Sequence, residues 1–422
     1  LKCEPSGLVY GHGKWCDERL DDMRRRYGAL FLLVLAALGH VLLWVPFWKP
    51  TPKKKVVVVG GGFAGLAVCR RLRSKRLNVT LLDAKQYFEF IPGMVRPYSN
   101  PKLHQKLVLD YAEICSKMKV EWRWGRAAKI DAKQVLIPGN GTEEALPYDF
   151  CVVAAGCDHG DLWTISSEST RQFDERSLEG RQNRIEEEYR NLKELAARGA
   201  HIAVIGAGYV GVEFAAELRY FFPSLEISLV SSGEGCVPSM PQKAQDYIQD
   251  YFEKHNITTY YKTSYSDATA EDFWSKVGRK LPERVFKSVG MATHCDFLPQ
   301  DCLTERGYVR LIPTLQIANG SNQDAHPFAD GKIFAIGNCA DQVPGLDPLP
   351  KNSFPAEHMA AHVARNIHRG VRGKRLKSFS HWPWLGSVSA TSLGPKDGVL
   401  LMNSGPERPG FVALKGRVVV WI

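Results

Sequence analysis

Four consecutive valines, Val56 to Val59, run directly into Gly60-Gly61-Gly62-Phe63-Ala64-Gly65, and nothing else in the chain limits its fold as strongly. A β-branched run of this kind suits a central parallel strand buried on both faces. The glycines form a G-x-G-x-x-G, followed by an expected helix over Leu66–Arg73 and an expected strand over Asn78–Leu82 that stops at Asp83. In such a unit Gly60 permits the tight turn, Gly62 lets a pyrophosphate approach the backbone, and Gly65 lets helix pack on strand. The helix N-terminus offers free N–H groups and a positive dipole end to the phosphates. Asp83 stands where an acid accepts hydrogen bonds from a ribose. A glycine-rich turn without nucleotide is the competing reading, and the strand, helix and acid around the motif weigh against it.

The same unit returns about 145 residues later. His201–Ile205 reads as a strand, Gly206-Ala207-Gly208-Tyr209-Val210-Gly211 as a second loop, Val212–Leu218 as a helix and Leu225–Val230 as the next strand. An internal duplication of a nucleotide-binding βαβ unit implies two dinucleotides, one held tightly and one exchanging. The second unit ends at Ser231-Ser232, where an acid would select NADH. Serine neither grips the ribose 2′-hydroxyl strongly nor repels a 2′-phosphate, so NADH and NADPH both remain open.

At 422 residues the chain exceeds one core and suggests two or three domains. The formal charge of +10 suits anionic lipid, anionic cofactors or a solvated basic surface. No nucleic-acid motif is present, and no nucleic-acid partner is expected. The ten cysteines include no C-x-x-C and no C-x₄-C, so reduced structural thiols are expected and no metal site. His358 and His362 share a helix face but find no third ligand. Residues 1–27 are polar, and Gly28–Trp48 then runs for 21 residues without a formal charge. About 20 apolar residues at ~1.5 Å each span the ~30 Å hydrocarbon core, so 28–48 is expected to be a transmembrane helix in a lipid bilayer. Its apolar length and its distance from the N-terminus argue against a signal peptide. Basic clusters flank both ends, leaving orientation open. The leucine at position 1 suggests a processed or missing start.

Between the loops, Lys85–Arg96 is apolar and broken by Pro92 and Gly93, fit for a buried turn or for backbone beside the distal ring of the dinucleotide. Lys106–Met118 is expected to be one helix, Val120–Trp124, Ala127–Ile130 and Gln134–Ile137 strands, and Asn183–Arg198 a helix with its charges on one face. Tyr148–Gly156 (YDFCVVAAG) and Lys332–Asp341 (KIFAIGNCAD) read as further buried strands ending in small residues. Phe354-Pro355 opens another helix.

The first loop with Asp83, the YDFCVVAAG strand and the IFAIGN strand resemble the FAD signatures of flavoproteins with two dinucleotide-binding domains. YFEFIPGMVRPY (87–98) and SLGPKDG (392–398) resemble the ferroptosis-suppressor, apoptosis-inducing-factor-like and type II NADH dehydrogenase branches. The resemblance implies an α/β fold: an FAD domain over 53–158 and 300–370, an NAD(P)H domain over 159–299, and an incomplete small α+β region over 371–422. It implies FAD contacts at Gly60, Gly62, Phe63, Ala64, Gly65, Asp83, Lys85, Arg96, Ala155, Gly156, Gly337, Asn338 and Asp341. NADH or NADPH would meet Gly206, Gly208, Tyr209, Val210, Gly211, Glu213 and Ser231. Glu213 resembles the glutamate that borders the nicotinamide in relatives; a solvated carboxylate favoured by the helix dipole is its alternative. Relatives usually carry aspartate where this chain has Asn338, and an amide keeps the acceptor without the charge.

Without the C-x₄-C of disulfide reductases, electrons need another acceptor. The resemblance implies ping-pong NAD(P)H:quinone oxidoreduction without proton pumping, with quinone arriving from the bilayer and the mitochondrial inner membrane as the expected site. Two alternatives stand: a catalytically weakened subunit of a larger membrane complex, and a reductase for a soluble one-electron acceptor. A homodimer is also compatible with the sequence.

Overall fold

The computed structural model describes residues 52–139, 143–158, 174–320, 324–325, 330–380, 387–404, 411–417 and 419. The apolar run 28–48 and the polar 1–27 lie outside the described residues. Among the described residues, no helix is long and apolar enough to cross a membrane.

The valine run forms β1 (Lys54–Val59), and its four valines are buried on both faces. β1 lies between β2 (Leu77–Asp83) and β9 (Phe150–Val153) in a parallel sheet of order β16-β9-β1-β2-β5, completed by β5 (Glu121–Trp124) and β16 (Ile333–Ala335). α1 (Phe63–Leu72) returns the chain from β1 to β2 and packs along α8 (Ser353–Gly370). The glycine loop leaves β1 where the strand order reverses, and this is where open α/β sheets bind ligands.

The second unit repeats the plan. β11 (His201–Ile205) runs between β12 (Glu226–Val230) and β14 (Arg284–Lys287), with β13 (Ile257–Tyr260) outside β12, all parallel. α5 (Tyr209–Phe221) follows the second glycine loop, and α6 (Gln242–Lys254) and α7 (Ala270–Lys276) cover this sheet's flanks. A C-terminal antiparallel sheet, β17 (Ser387–Ser392), β18 (Gly398–Ser404) and β19 (Phe411–Lys415), packs β17 on α5. Leu393, Val399 and Leu401 complete the apolar cluster around Val212 and Phe214. Smaller pieces are the meander β6 (Lys129–Ile130), β7 (Gln134–Ile137), β8 (Glu144–Pro147), and the pairs β3 (Tyr87–Glu89) with β4 (Val108–Asp110) and β10 (Cys157–Asp158) with β15 (Ala292–Thr293).

Two expectations need correction. Lys106–Met118 is not one helix: α2 (His104–Leu107) stops at β4, and α3 (Tyr111–Met118) starts afresh. Asp110 causes the restart, because its carboxylate accepts the N–H groups of Ala112 and Glu113 at 2.6 and 3.1 Å as an N-cap. α4 (Leu178–Ala197) begins five residues earlier than 183, where Ser177 accepts the Gly180 N–H at 3.0 Å. Its charges do not form one solvated face, since Arg181, Arg184 and Glu188 are buried.

Candidate functional site

At the first loop the glycines divide into two kinds. Gly60 takes φ +99°, and a Cβ there would lie 2.3 Å from the Ala154 carbonyl oxygen. A Cβ on Gly65 would lie 1.8 Å from the Gly60 oxygen, so strand, turn and helix touch backbone to backbone. Gly62 is exposed, caps α1, and would place a Cβ with nothing within 4 Å. No side chain caps the first turn of α1, so the N–H groups after Gly62 keep their directions toward open space. A phosphate-sized group fits this cradle, and a Cβ at Gly62 would project into it.

The second loop has the same geometry. Gly206 takes φ +110° with a Cβ position 2.7 Å from the Ser288 oxygen; at Gly211 it falls 1.9 Å from the Gly206 oxygen; Gly208 again meets nothing within 4 Å. Tyr209 and Val210 open α5 behind it, half-buried.

Asp83 Oδ2 accepts the Gly61 N–H at 2.5 Å, and Oδ1 accepts the Lys85 N–H at 2.7 Å. Burial pushes the Asp83 carboxyl up, against those two N–H donors and the Lys85 charge. Tyr111, which sequence reasoning missed, lies against the loop: a Cβ on Gly61 would meet its ring at 2.5 Å, and its hydroxyl reaches Asp83 at 3.5 Å. The middle glycine is thus demanded by a tyrosine 50 positions away, for which the motif carries no signal.

The other proposed FAD residues gather around this loop only in part. Phe63 packs edge-on against Phe88 and Phe90 at 5.2 and 5.8 Å. Ala155 and Gly156 follow β9, whose end is tied to β1 by the Ala154 N–H to Val59 oxygen bond of 2.7 Å. Gly337 takes φ +77°, and a Cβ there would come 2.9 Å from that of Ala64, so the turn after β16 closes on the start of α1. Asn338 hydrogen-bonds the Cys157 thiol, and Lys351 Nζ donates to the Ala340 oxygen beside Asp341.

Two members of the set have their charges met by carboxylates of the protein. Lys85 Nζ lies 3.1 Å from Glu89 Oε2. The charge of Arg96 opposes the rise of the Glu213 and Glu217 carboxyls on α5. Burial nevertheless pushes Glu213 up to about 7, while its Oε1 accepts the Ser392 N–H at 2.9 Å. A carboxyl poised there can take or release a proton near neutral pH. Ser231, at the end of β12, donates its N–H to the Tyr260 oxygen at 2.8 Å, and its Oγ accepts the Gly233 N–H at 3.2 Å.

A buried ion network, also missed, joins β3 to the second sheet. Arg181 reaches Glu89 and Glu175 at 2.8 Å each; Glu188 accepts from Arg184 and Arg284 at 2.9 Å each. Burial works against the Glu89 carboxylate, yet Arg181 and Lys85 hold its pKa well below the usual value. His362 is buried and bonds the Lys377 oxygen at 2.8 Å, while His358 packs against the Phe354 ring. Among the described residues no group of His, Cys, Asp or Glu could hold a metal ion.

Two parallel sheets, each launching a helix from a glycine cradle at its switch point, define a protein with two dinucleotide-binding units. Residues 54–365 match the model of the pyridine nucleotide-disulphide oxidoreductase family, and the chain belongs to it. FAD is its cofactor and NADH or NADPH its co-substrate, and the two cradles fit both diphosphates. A Schizosaccharomyces pombe protein described as "probable NADH-ubiquinone oxidoreductase, mitochondrial" is 26% identical over 366 residues, covering 77% of this chain. The chain spans only 64% of that relative's length. Ferroptosis suppressor protein 1 of Mus musculus is 24% identical over 371 residues, covering 82% of this chain and 87% of its own. Among solved structures, the sulfide:quinone oxidoreductase of Aquifex aeolicus superimposes with TM-score 0.65 at 18% identity, covering 87% and 88% of the two chains. NDH2 of Plasmodium falciparum in complex with NADH superimposes with TM-score 0.64 at 14% identity, covering 87% and 93%.

Proposed function

We propose that the chain is a membrane-held NAD(P)H:quinone oxidoreductase. The observation that carries this reading is the duplicated cradle: Gly62 and Gly208 face open space while their neighbours Gly60, Gly65, Gly206 and Gly211 are locked against backbone. In this reading Gly60–Gly65 and the ends of β9 and β16 hold FAD, and Gly206–Gly211 with Ser231 hold NADH or NADPH. The domain limits 53–158 with 300–370, 159–299 and 371–422 follow from that assignment. Bound FAD supplies the ring that accepts a hydride and returns two electrons. The chain's own residues orient the two diphosphates through helix N-termini and hold protons.

Reduction of a quinone by NADH consumes one proton overall, and in this reading Glu213, held by the Ser392 N–H at 2.9 Å and with its carboxyl raised to about 7, is a group able to carry it. Quinone as acceptor is supported by the names of two relatives, the NADH-ubiquinone and sulfide:quinone oxidoreductases, and by the lack of a C-x₄-C pair in this sequence. The run 28–48 would give access to a lipid-soluble acceptor, with a mitochondrial membrane as the expected setting.

The test is purification of the full chain in detergent, followed by a flavin spectrum. The expected result is a yellow protein that bleaches with NADH or NADPH and recovers its colour with a ubiquinone analogue. A colourless protein, or a flavin that both NADH and NADPH leave oxidised, overturns the reading in favour of a non-catalytic subunit. Faster recovery with a one-electron protein acceptor than with the quinone points to the soluble-acceptor reductase.

A further inference from the structure

Far from both glycine loops, where β1 begins and α1 and α8 end, the surface holds a depression of about 680 Å³. Three of its cations, Arg73, Lys75 and Arg76, come from the α1–β2 turn. Arg365 and Arg369 come from α8, and Arg372, Lys374 and Lys377 from the strap that follows it. All but Arg369 are exposed, and no carboxylate lines the depression. Among the described residues none of the eight forms an ion pair. Two helix C-termini, each carrying about half a negative charge, neutralise only a small part of eight cations.

The charges are held on a frame rather than strung on a free loop. Asn366, 1% exposed, accepts the Lys377 N–H at 3.0 Å and donates to the Lys377 oxygen at 2.9 Å. Buried His362 donates to the same oxygen at 2.8 Å, and the Lys374 N–H bonds the Arg369 oxygen at 2.9 Å.

We propose that this depression docks the phosphate groups of anionic phospholipids at a bilayer surface. Several fixed cations around a wide opening suit a sheet of headgroups better than one small anion. The Lys54 N–H bonds the Arg76 oxygen at 2.9 Å, so the chain enters the first sheet at the rim of the depression. In sequence, that entry lies six residues after Trp48, the end of the apolar run. The choice of a bilayer over soluble phosphate rests on the membrane reading above; the phosphate chemistry does not.

The full-length holoenzyme is reconstituted with vesicles of phosphatidylcholine, with or without about 30% phosphatidylglycerol, and amide exchange is followed over 73–77 and 369–377. Phosphatidylglycerol is expected to slow exchange there by ~3-fold or more, and about 0.5 M NaCl to reverse it through screening. The K75E/R76E/R372E/K374E variant is expected to lose the slowing while its flavin still bleaches with NADH. Equal exchange in both vesicle types overturns the proposal, using wild-type protein alone. Equal slowing by millimolar pyrophosphate without phosphatidylglycerol also overturns it, in favour of a soluble ligand. Flotation with phosphatidylcholine vesicles reads the apolar anchor separately: a chain that floats only with phosphatidylglycerol supports the depression and not the anchor.

Discussion

Glu213 Oε1 and the Ser392 backbone nitrogen stand 2.9 Å apart, so a carboxylate two positions after the second glycine loop is held by the C-terminal sheet. Burial raises this carboxyl from 4.5 to about 7, so the folded state binds its proton more tightly than the unfolded chain. The stabilisation is fully present below pH ~4.5 and is lost as pH rises through about 7, a span worth up to ~3 kcal/mol. Glu213→Gln keeps an oxygen for the Ser392 N–H and removes the titration. The variant should gain stability relative to wild type at pH 8 but not at pH 4.5, read from urea midpoints. If wild type and variant show the same pH dependence, the titrating group is another residue.

The glycines make a sharper comparison. Gly65→Ala drives a Cβ to 1.8 Å from the Gly60 oxygen and should prevent stable folding of the first sheet. Gly62→Ala meets no protein atom within 4 Å and should leave the melting temperature of the flavin-free protein within about 2 °C of wild type. Its flavin content after purification should nevertheless fall, because the new methyl occupies the space before the α1 N–H groups. Retention of full flavin by Gly62→Ala would place the diphosphate elsewhere.

What was legible in the sequence follows from range of interaction. The Val56–Gly65 and His201–Gly211 units declare themselves because turn, helix start and strand burial are all local, and both sheets formed around them. Tyr111, Arg181 and Ser392 did not, because each acts through a partner far along the chain: Gly61 and Asp83, Glu89, and Glu213. Asp110 shows the middle case. Its capping of α3 is local, but a periodic apolar pattern across 106–118 hid the break. Arg184 and Glu188 sit at i, i+4, a spacing that reads as a solvated pair; in the fold both are buried, with Glu175 beside Arg184 and Arg284 on Glu188.

Arg181 sits 2.8 Å from both Glu89 and Glu175, and all three side chains are at most 3% exposed. Removing the cation alone leaves two buried carboxylates short of compensation, a loss that costs about 3–5 kcal/mol. Arg181→Met should therefore unfold at markedly lower urea. Because Glu89 shares β3 with Phe88, which packs on Phe63 at the start of α1, the variant should also lose flavin sooner on dilution. A stability change below about 1 kcal/mol would mean that Lys85 and His104 suffice to hold Glu89.

Ser231 is the position at which the preference between NADH and NADPH can be moved. Its backbone is fixed by the Tyr260 carbonyl, and its hydroxyl already accepts the Gly233 N–H, so substitutions there change the side chain's charge more than the loop. Ser231→Asp retains an acceptor for Gly233 and adds a carboxylate that bonds ribose hydroxyls and repels a 2′-phosphate. Ser231→Arg does the opposite, offering a guanidinium to that phosphate. Charge-assisted hydrogen bonds contribute about 1.5–3 kcal/mol, so each variant should shift the ratio of kcat/KM for NADH over NADPH by ~10-fold or more, in opposite directions. Flavin content should stay unchanged in both, because the first cradle is untouched. Steady-state rates with each nucleotide and one quinone measure the ratio; shifts below about threefold in both variants would move the 2′ end of the nucleotide away from β12.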